Sequence, residues 1–224
     1  MESQPLGSIF AYLMQVYDLP IGFEQSTLDM SHDDYAFGVN LPAIGTKRIK
    51  SDDGKTGVTV GAQRRFKAQN HLITVKVKDE PLERVLDLIV AQMANYEWAM
   101  NDGVVNIFPA RGRDGRFQKL LDTRVREFRL PSGQPVRAIT EAIIRLPELQ
   151  RFLRENNLFF TGFRPGLDIL VKAQYDRPIE TPIELSDLTF GELLNRTTKI
   201  KRGGWILRKK RSPNPAEEHI DIDV

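Results

Sequence analysis

The 224-residue chain contains no cysteine. That absence excludes disulfides, thiolate metal sites and cysteine nucleophiles. Histidine is almost as scarce, with three residues, His32, His71 and His219. No apolar run approaches the roughly 18 residues needed to cross a bilayer, so no transmembrane segment is expected. Charge of one sign is not in excess, since 32 Lys and Arg stand against 30 Asp and Glu. A net charge of +2 therefore dictates no class of partner. Also missing are a G-x-x-x-x-G-K-[ST] phosphate loop, a G-x-G-x-x-G turn after a strand and a G-x-S-x-G nucleophile elbow. Residues Met1 to Leu6 show no basic stretch leading into an apolar core, so they do not read as a secretory leader. The expectation is a cytoplasmic chain, or a periplasmic one whose leader has been removed.

What is present is an ordinary globular balance, 41% hydrophobic and 28% charged, long enough to bury a real core. Leu6, Ile9, Phe10, Leu13, Met14 and Tyr17 recur at helical spacing after Pro5, and Ile21 to Glu24 reads as a short strand. Residues 31–70 are polar, basic between Lys47 and Lys67, and read as an insertion. Leu72 to Lys78 alternates like a strand. Pro81 opens a helix with Leu82, Val85, Leu86, Ile89, Val90 and Met93 on one face. Asn101-Asp102-Gly103 is a tight-turn signal between strands Tyr96–Met100 and Val104–Phe108. After a basic connecting segment at 111–123 comes a second block. Its expected strands are Val125–Leu130, Leu158–Phe163, Leu167–Lys172, Ile183–Leu185 and Trp205–Arg208. Its expected helices start at Pro135, Pro147 and Phe190. The tail from Ser212 is proline-containing, then acidic, and reads as disordered.

The two blocks align with each other. VKDEPLERVLDLI (Val77 to Ile89) matches LSDLTFGELLNRT (Leu185 to Thr197) at a constant offset of 108 residues, Val77 meeting Leu185. Leu82 meets Phe190, Val85 meets Leu193 and Leu86 meets Leu194. A tryptophan-bearing strand follows each, with Trp98 in one and Trp205 in the other. Upstream, Gln4-Pro5-Leu6 matches Gln134-Pro135-Val136. Order, helix starts and tryptophan position agree together, as expected of a duplicated unit. The expected fold is α+β, two tandem small units of strand–helix–strand–strand–helix–strand(–strand) type with helices packed against small sheets. The expected boundaries are 1–110 for the first unit with its insertion, 111–123 for the connection, 124–211 for the second unit and 212–224 for the tail.

Gln4 to Glu24 with Ile73 to Phe108, and Arg126 to Phe163 with Ile183 to Arg208, resemble the secretin and TonB short N-terminal domain, STN. The pattern is an apolar helix after Q-P-L, a short strand, then a strand leading into P/T-L/F-x-x-x-L-L, an aromatic strand, a turn and a last V-x-I strand. The resemblance implies a small α+β domain of the bacterial periplasm. It implies protein–protein contacts in signalling or secretion rings, with no catalytic machinery; from the residues themselves no cofactor and no metal are expected. Partners are then another envelope protein, or further copies of the chain.

The residues also support a rival reading. Arg196, Lys199, Lys201, Arg202, Arg208, Lys209, Lys210 and Arg211 carry eight positive charges with no acid between them, and Trp205 lies among them. Phosphate neutralisation with aromatic stacking would make such a stretch a nucleic-acid or polyanion contact. A charged edge that blocks sheet-to-sheet aggregation explains the same residues. Arg111, Arg113, Arg116, Lys119 and Arg124 form a second basic group in the connecting segment. Ser31-His32-Asp33-Asp34 and the EEHIDID stretch around His219 hold metal-capable side chains. In an extended loop, however, neighbours point in alternate directions, so no catalytic or metal residue is assigned.

Overall fold

The computed structural model describes residues 6–26, 73–78, 80–93, 95–160, 177–210 and 218–223. Six helices and eight strands fall within them: α1 Leu6–Tyr17, β1 Ile21–Glu24, α2 Leu82–Val90, β2 Tyr96–Asn101, β3 Val104–Pro109, α3 Gly115–Leu121, β4 Arg124–Leu130, α4 Arg137–Ile144, α5 Pro147–Glu155, β5 Leu158–Phe160, β6 Ile183–Thr189, α6 Phe190–Lys201, β7 Gly204–Lys210 and β8 Glu218–Asp223. The fold is α+β, with helices packed on small sheets.

Local chemistry accounts for the element ends. α1 buries Leu6, Ile9, Phe10 and Leu13, the i, i+3, i+4, i+7 stripe. It stops where Asp18 adopts φ 49° ahead of Pro20. α6 starts with a capping box. The Thr189 hydroxyl accepts from the Glu192 amide at 3.2 Å, and the Glu192 carboxylate accepts from the Thr189 amide at 2.7 Å. Asp102 and Gly103 both have positive φ, 53° and 72°, the signature of a two-residue type I′ hairpin between β2 and β3.

One sheet has six strands in the order β2-β3-β1-β7-β8-β5, and a second pairs β4 with β6 antiparallel. The six-stranded sheet is two equivalent triplets laid edge to edge. In β2-β3-β1, the hairpin is antiparallel and its second strand runs parallel to β1. In β7-β8-β5, the hairpin is again antiparallel and its second strand runs parallel to β5. The triplets meet where β1 and β7 pair in parallel, Gly22 opposite Trp205 and Phe23 opposite Ile206.

The triplets bury opposite faces. Ile21 and Phe23 of β1 belong to a core built with α1, α2, β2 and β3. Trp205 and Leu207 of β7 belong to a core built with α3, α4, α5, α6 and the two-stranded sheet. Between them Ile206 points back and packs on the first core. Two glycines permit this junction. A Cβ on Gly22 would collide with the Trp205 indole, and one on Gly204 would lie 2.6 Å from the Ile21 carbonyl oxygen.

Three expectations from the sequence change here. Of the expected strand Leu72–Lys78, the described residues 73–78 hold only a single bridge, at Ile73. Ile73 and Val75 are buried as the alternation requires, but the Gln92 carboxamide takes the Thr74 amide and carbonyl, both at 3.0 Å. The connecting segment holds α3, whose Phe117, Leu120 and Leu121 are buried and whose start is capped by Asp114. That apolar triad at i, i+3, i+4 was masked by its basic neighbours. The tail contributes β8, which pairs with β7 and β5, so Glu218–Asp223 is part of the sheet. The insertion at 31–70 and the expected strand Leu167–Lys172 lie outside the described residues.

Candidate functional site

The described side chains of the C-terminal basic stretch are divided between surface and core. Arg196, Lys199 and Arg202 are exposed, and the Lys199 ammonium donates to the Asp102 carbonyl at 3.0 Å. Lys201 is buried, and its ammonium donates to the Thr140 hydroxyl at 3.3 Å. Trp205 is buried too, its indole N–H donating to Asn195 Oδ1 at 2.9 Å, so its ring is core and offers no stacking platform. Along β7 the backbone register with β8 is fixed. Arg208 stands opposite Asp221, Lys209 opposite Ile220 and Lys210 opposite His219. The β8 sequence holds three acids, Glu218, Asp221 and Asp223, of which the register sets Asp221 opposite a β7 cation. Arg211 lies outside the described residues.

In the second basic group, Arg113, Arg116 and Arg124 are paired with acids. Arg116 pairs with Asp114 at 2.9 Å and Arg124 with Asp187 at 2.7 Å. Arg113 makes the most buried pair described. Its Nε lies 2.9 Å from both Glu24 carboxylate oxygens and its Nη2 lies 2.7 Å from Oε2. The Glu24 side chain is 1% exposed, whereas that of Arg113 is 34% exposed and its guanidinium sits 5.3 Å above the Phe108 ring. Burial pushes the Glu24 carboxyl above its ordinary pKa, against the lowering effect of Arg113 and with a further push from Asp114. Next to this pair the Ser26 amide donates to the Tyr96 hydroxyl at 2.8 Å, and the Gln25 amide donates to the Leu207 carbonyl at 2.8 Å. The Arg113–Glu24 pair ties the connecting segment to the end of β1, and the Ser26 and Gln25 amides tie that end to β2 and β7. The sequence reading passed over Glu24; its only local signal is an acid closing the apolar strand Ile-Gly-Phe-Glu.

His32 and His71 lie outside the described residues, and His219 stands between Lys210 and Phe159 in the sheet. Among the described residues no group of three or more His, Asp or Glu is arranged to hold a metal ion. Among them too, no helix is long and apolar enough to cross a membrane.

The two tryptophans carry the repeat into geometry. Trp98 donates its indole N–H to Asp87 on the preceding helix at 2.9 Å, as Trp205 does to Asn195. Asp87 and Asn195 are separated by the same 108-residue offset as the leucines before them, Leu86 and Leu194. Both leucines are fully buried.

Among the described residues, exposed apolar side chains on α1 and the edge strand β2 are available for contact. On α1, Tyr12, Val16 and Tyr17 are 41%, 56% and 61% exposed, with the two tyrosine rings 5.9 Å apart. At one end of the large sheet, β2 has no further strand among the described residues. Its sequence Tyr-Glu-Trp-Ala-Met-Asn has one charge and no proline or lysine, the residues that usually protect an edge. Searches of protein-family models, curated proteins and solved structures find no match to this chain.

Proposed function

We propose that the chain is a non-catalytic protein-interaction module of the bacterial cell envelope. The observation that carries this reading is the β1·β7 junction. Two triplets of identical strand order are joined through their edges, so the repeated unit is one that associates by adding strands. Strand addition is a recurrent mode of protein recognition, in which main-chain hydrogen bonds supply affinity and alternate side chains supply specificity. The repeated Q-P helix start, the helix-to-tryptophan bond and the STN-like order of elements support the envelope assignment. Against the polyanion reading stand Asp221 opposite Arg208 of β7 and the inward placement of Lys201 and Trp205.

Site-specific photo-crosslinking in the bacterium separates the two readings. A crosslinking residue replaces Tyr17 on α1, Glu97 on β2 or Arg196 on α6, and adducts are identified from fractionated cells. The expected result is protein adducts at Tyr17 or Glu97, in the envelope fraction. Nucleic-acid adducts at Arg196, with no protein adduct at the other two positions, would overturn the proposal.

A further inference from the structure

The free edge of β2 has a definite hydrogen-bonding pattern. The two-residue turn makes Asn101 and Val104 a bonded pair, and the Ala110 amide donates to the Asn95 carbonyl at 2.7 Å at the other end of the ladder. Bonded pairs alternate in an antiparallel ladder, so Asn101, Ala99 and Glu97 bond inward to β3. Tyr96, Trp98 and Met100 point their backbone groups outward. The Tyr96 amide is already spent on the Met93 carbonyl at 3.3 Å. Among the described residues, Trp98 and Met100 are left with an amide and a carbonyl each on the open side.

We infer that β2 pairs antiparallel with β2 of a second copy, around a two-fold axis at Ala99. This rests on the strand-addition reading above and names its partner. Antiparallel partners that share a sheet face must have the same parity, so the axis passes through a residue. Placed at Ala99, it sets Trp98 opposite Met100 of the second copy and Met100 opposite its Trp98. All four outward groups are then bonded on each copy, and Tyr96 is not needed. The side chains match as well. The small Ala99 meets itself at the non-bonded position, where Cα atoms approach to about 4.5 Å. Glu97, the one charge on the strand, faces the Asn101 carboxamide of the second copy and not another carboxylate. Met100, 45% exposed, meets the indole of Trp98, a favourable sulfur–aromatic neighbour. An axis at Trp98 instead would oppose Met100 to Tyr96, whose amide is taken. The contact is isologous and closes as a dimer, joining two six-stranded sheets into one.

The full chain is tested by sedimentation equilibrium over a concentration series. The expected species has twice the 25.6 kDa chain mass at high micromolar concentration. Met100→Pro removes an outward amide without touching the β3 ladder, a position where an edge strand tolerates proline. Ala99→Lys brings two like charges together on the axis. Each is expected to weaken dimerisation about tenfold or more while the circular-dichroism melt stays cooperative. Because the chain has no cysteine, Ala99→Cys is a clean register test, and it is expected to form a disulfide dimer on mild oxidation. A wild-type monomer throughout the series would overturn the inference, as would a dimer indifferent to both substitutions or one that Ala99→Cys fails to cross-link. A monomeric protein whose Glu97 photo-adduct is a different envelope protein would sink the self-pairing alone and leave the proposed function standing. Absence of any protein adduct at Tyr17 and Glu97 would sink that function.

Discussion

Arg113→Met removes the guanidinium that faces Glu24 and keeps most of the stem that lies over Phe108. The two partners differ in their access to water, and that difference sets the magnitudes. Glu24 has 1% of its side chain exposed, so removing Arg113 strands a buried anion, which costs about 3–5 kcal/mol. Arg113 retains 34% exposure, so Glu24→Ala leaves a cation that water can reach, and the cost is smaller, about 1–3 kcal/mol. Glu24→Gln removes the charge and keeps the shape, and is the mildest of the three. Direction with pH follows from the raised Glu24 pKa. A carboxyl whose folded pKa lies above its ordinary 4.5 contributes stability that is fully present below that value and lost as pH rises through the folded pKa. Wild type should therefore lose stability relative to Glu24→Gln as pH rises from the acid side to neutrality. Arg113→Met removes a group that lowers the Glu24 pKa, so its penalty should grow as pH rises and shrink toward the acid side, where protonation relieves the stranded carboxylate. Guanidinium chloride unfolding of wild type and the three variants across that pH range measures all of this. A pH-independent Arg113→Met penalty, or Glu24→Ala costing more than Arg113→Met, would refute the reasoning.

Leu86→Ala and Leu194→Ala, at matching fully buried positions, should each cost about 2–5 kcal/mol by chemical denaturation; losses below about 0.5 kcal/mol at both would mean the helix faces are misassigned. Gly22→Ala drives a methyl into the Trp205 indole and should disturb the β1·β7 junction, seen as a shifted near-ultraviolet tryptophan signal and a lower melting temperature. An unchanged spectrum would show that Trp205 can step aside. Binding to a generic duplex or single strand should be weak near physiological salt, and changing Arg196, Lys199 and Arg202 to Ser should not alter it. Submicromolar binding abolished by that triple change would restore the polyanion reading.

Elements whose information is local were legible in the chain itself. The apolar stripe of α1, the leucines of α2 and α6, and the Asn101-Asp102-Gly103 turn all appear where spacing and turn chemistry place them, because a few adjacent residues settle backbone conformation there. The repeat was legible for the same reason, and the structure adds that both of its tryptophans bond to the helix before them. Partners distant in sequence were not legible. Nothing near Arg208 announces that Asp221 will stand opposite it, and nothing near Glu24 announces Arg113, 89 residues away. A run of eight cations looks like one surface until the fold divides it between a helix and a strand and buries Lys201 at the helix end. The alternation of Leu72–Lys78 encodes which side chains are buried but not which backbone groups pair, and a glutamine side chain took that place. Composition and periodicity decide what must leave water. Which strand edges meet, and so which charges are neutralised and which edge stays open, depends on long-range pairing that only the folded chain supplies.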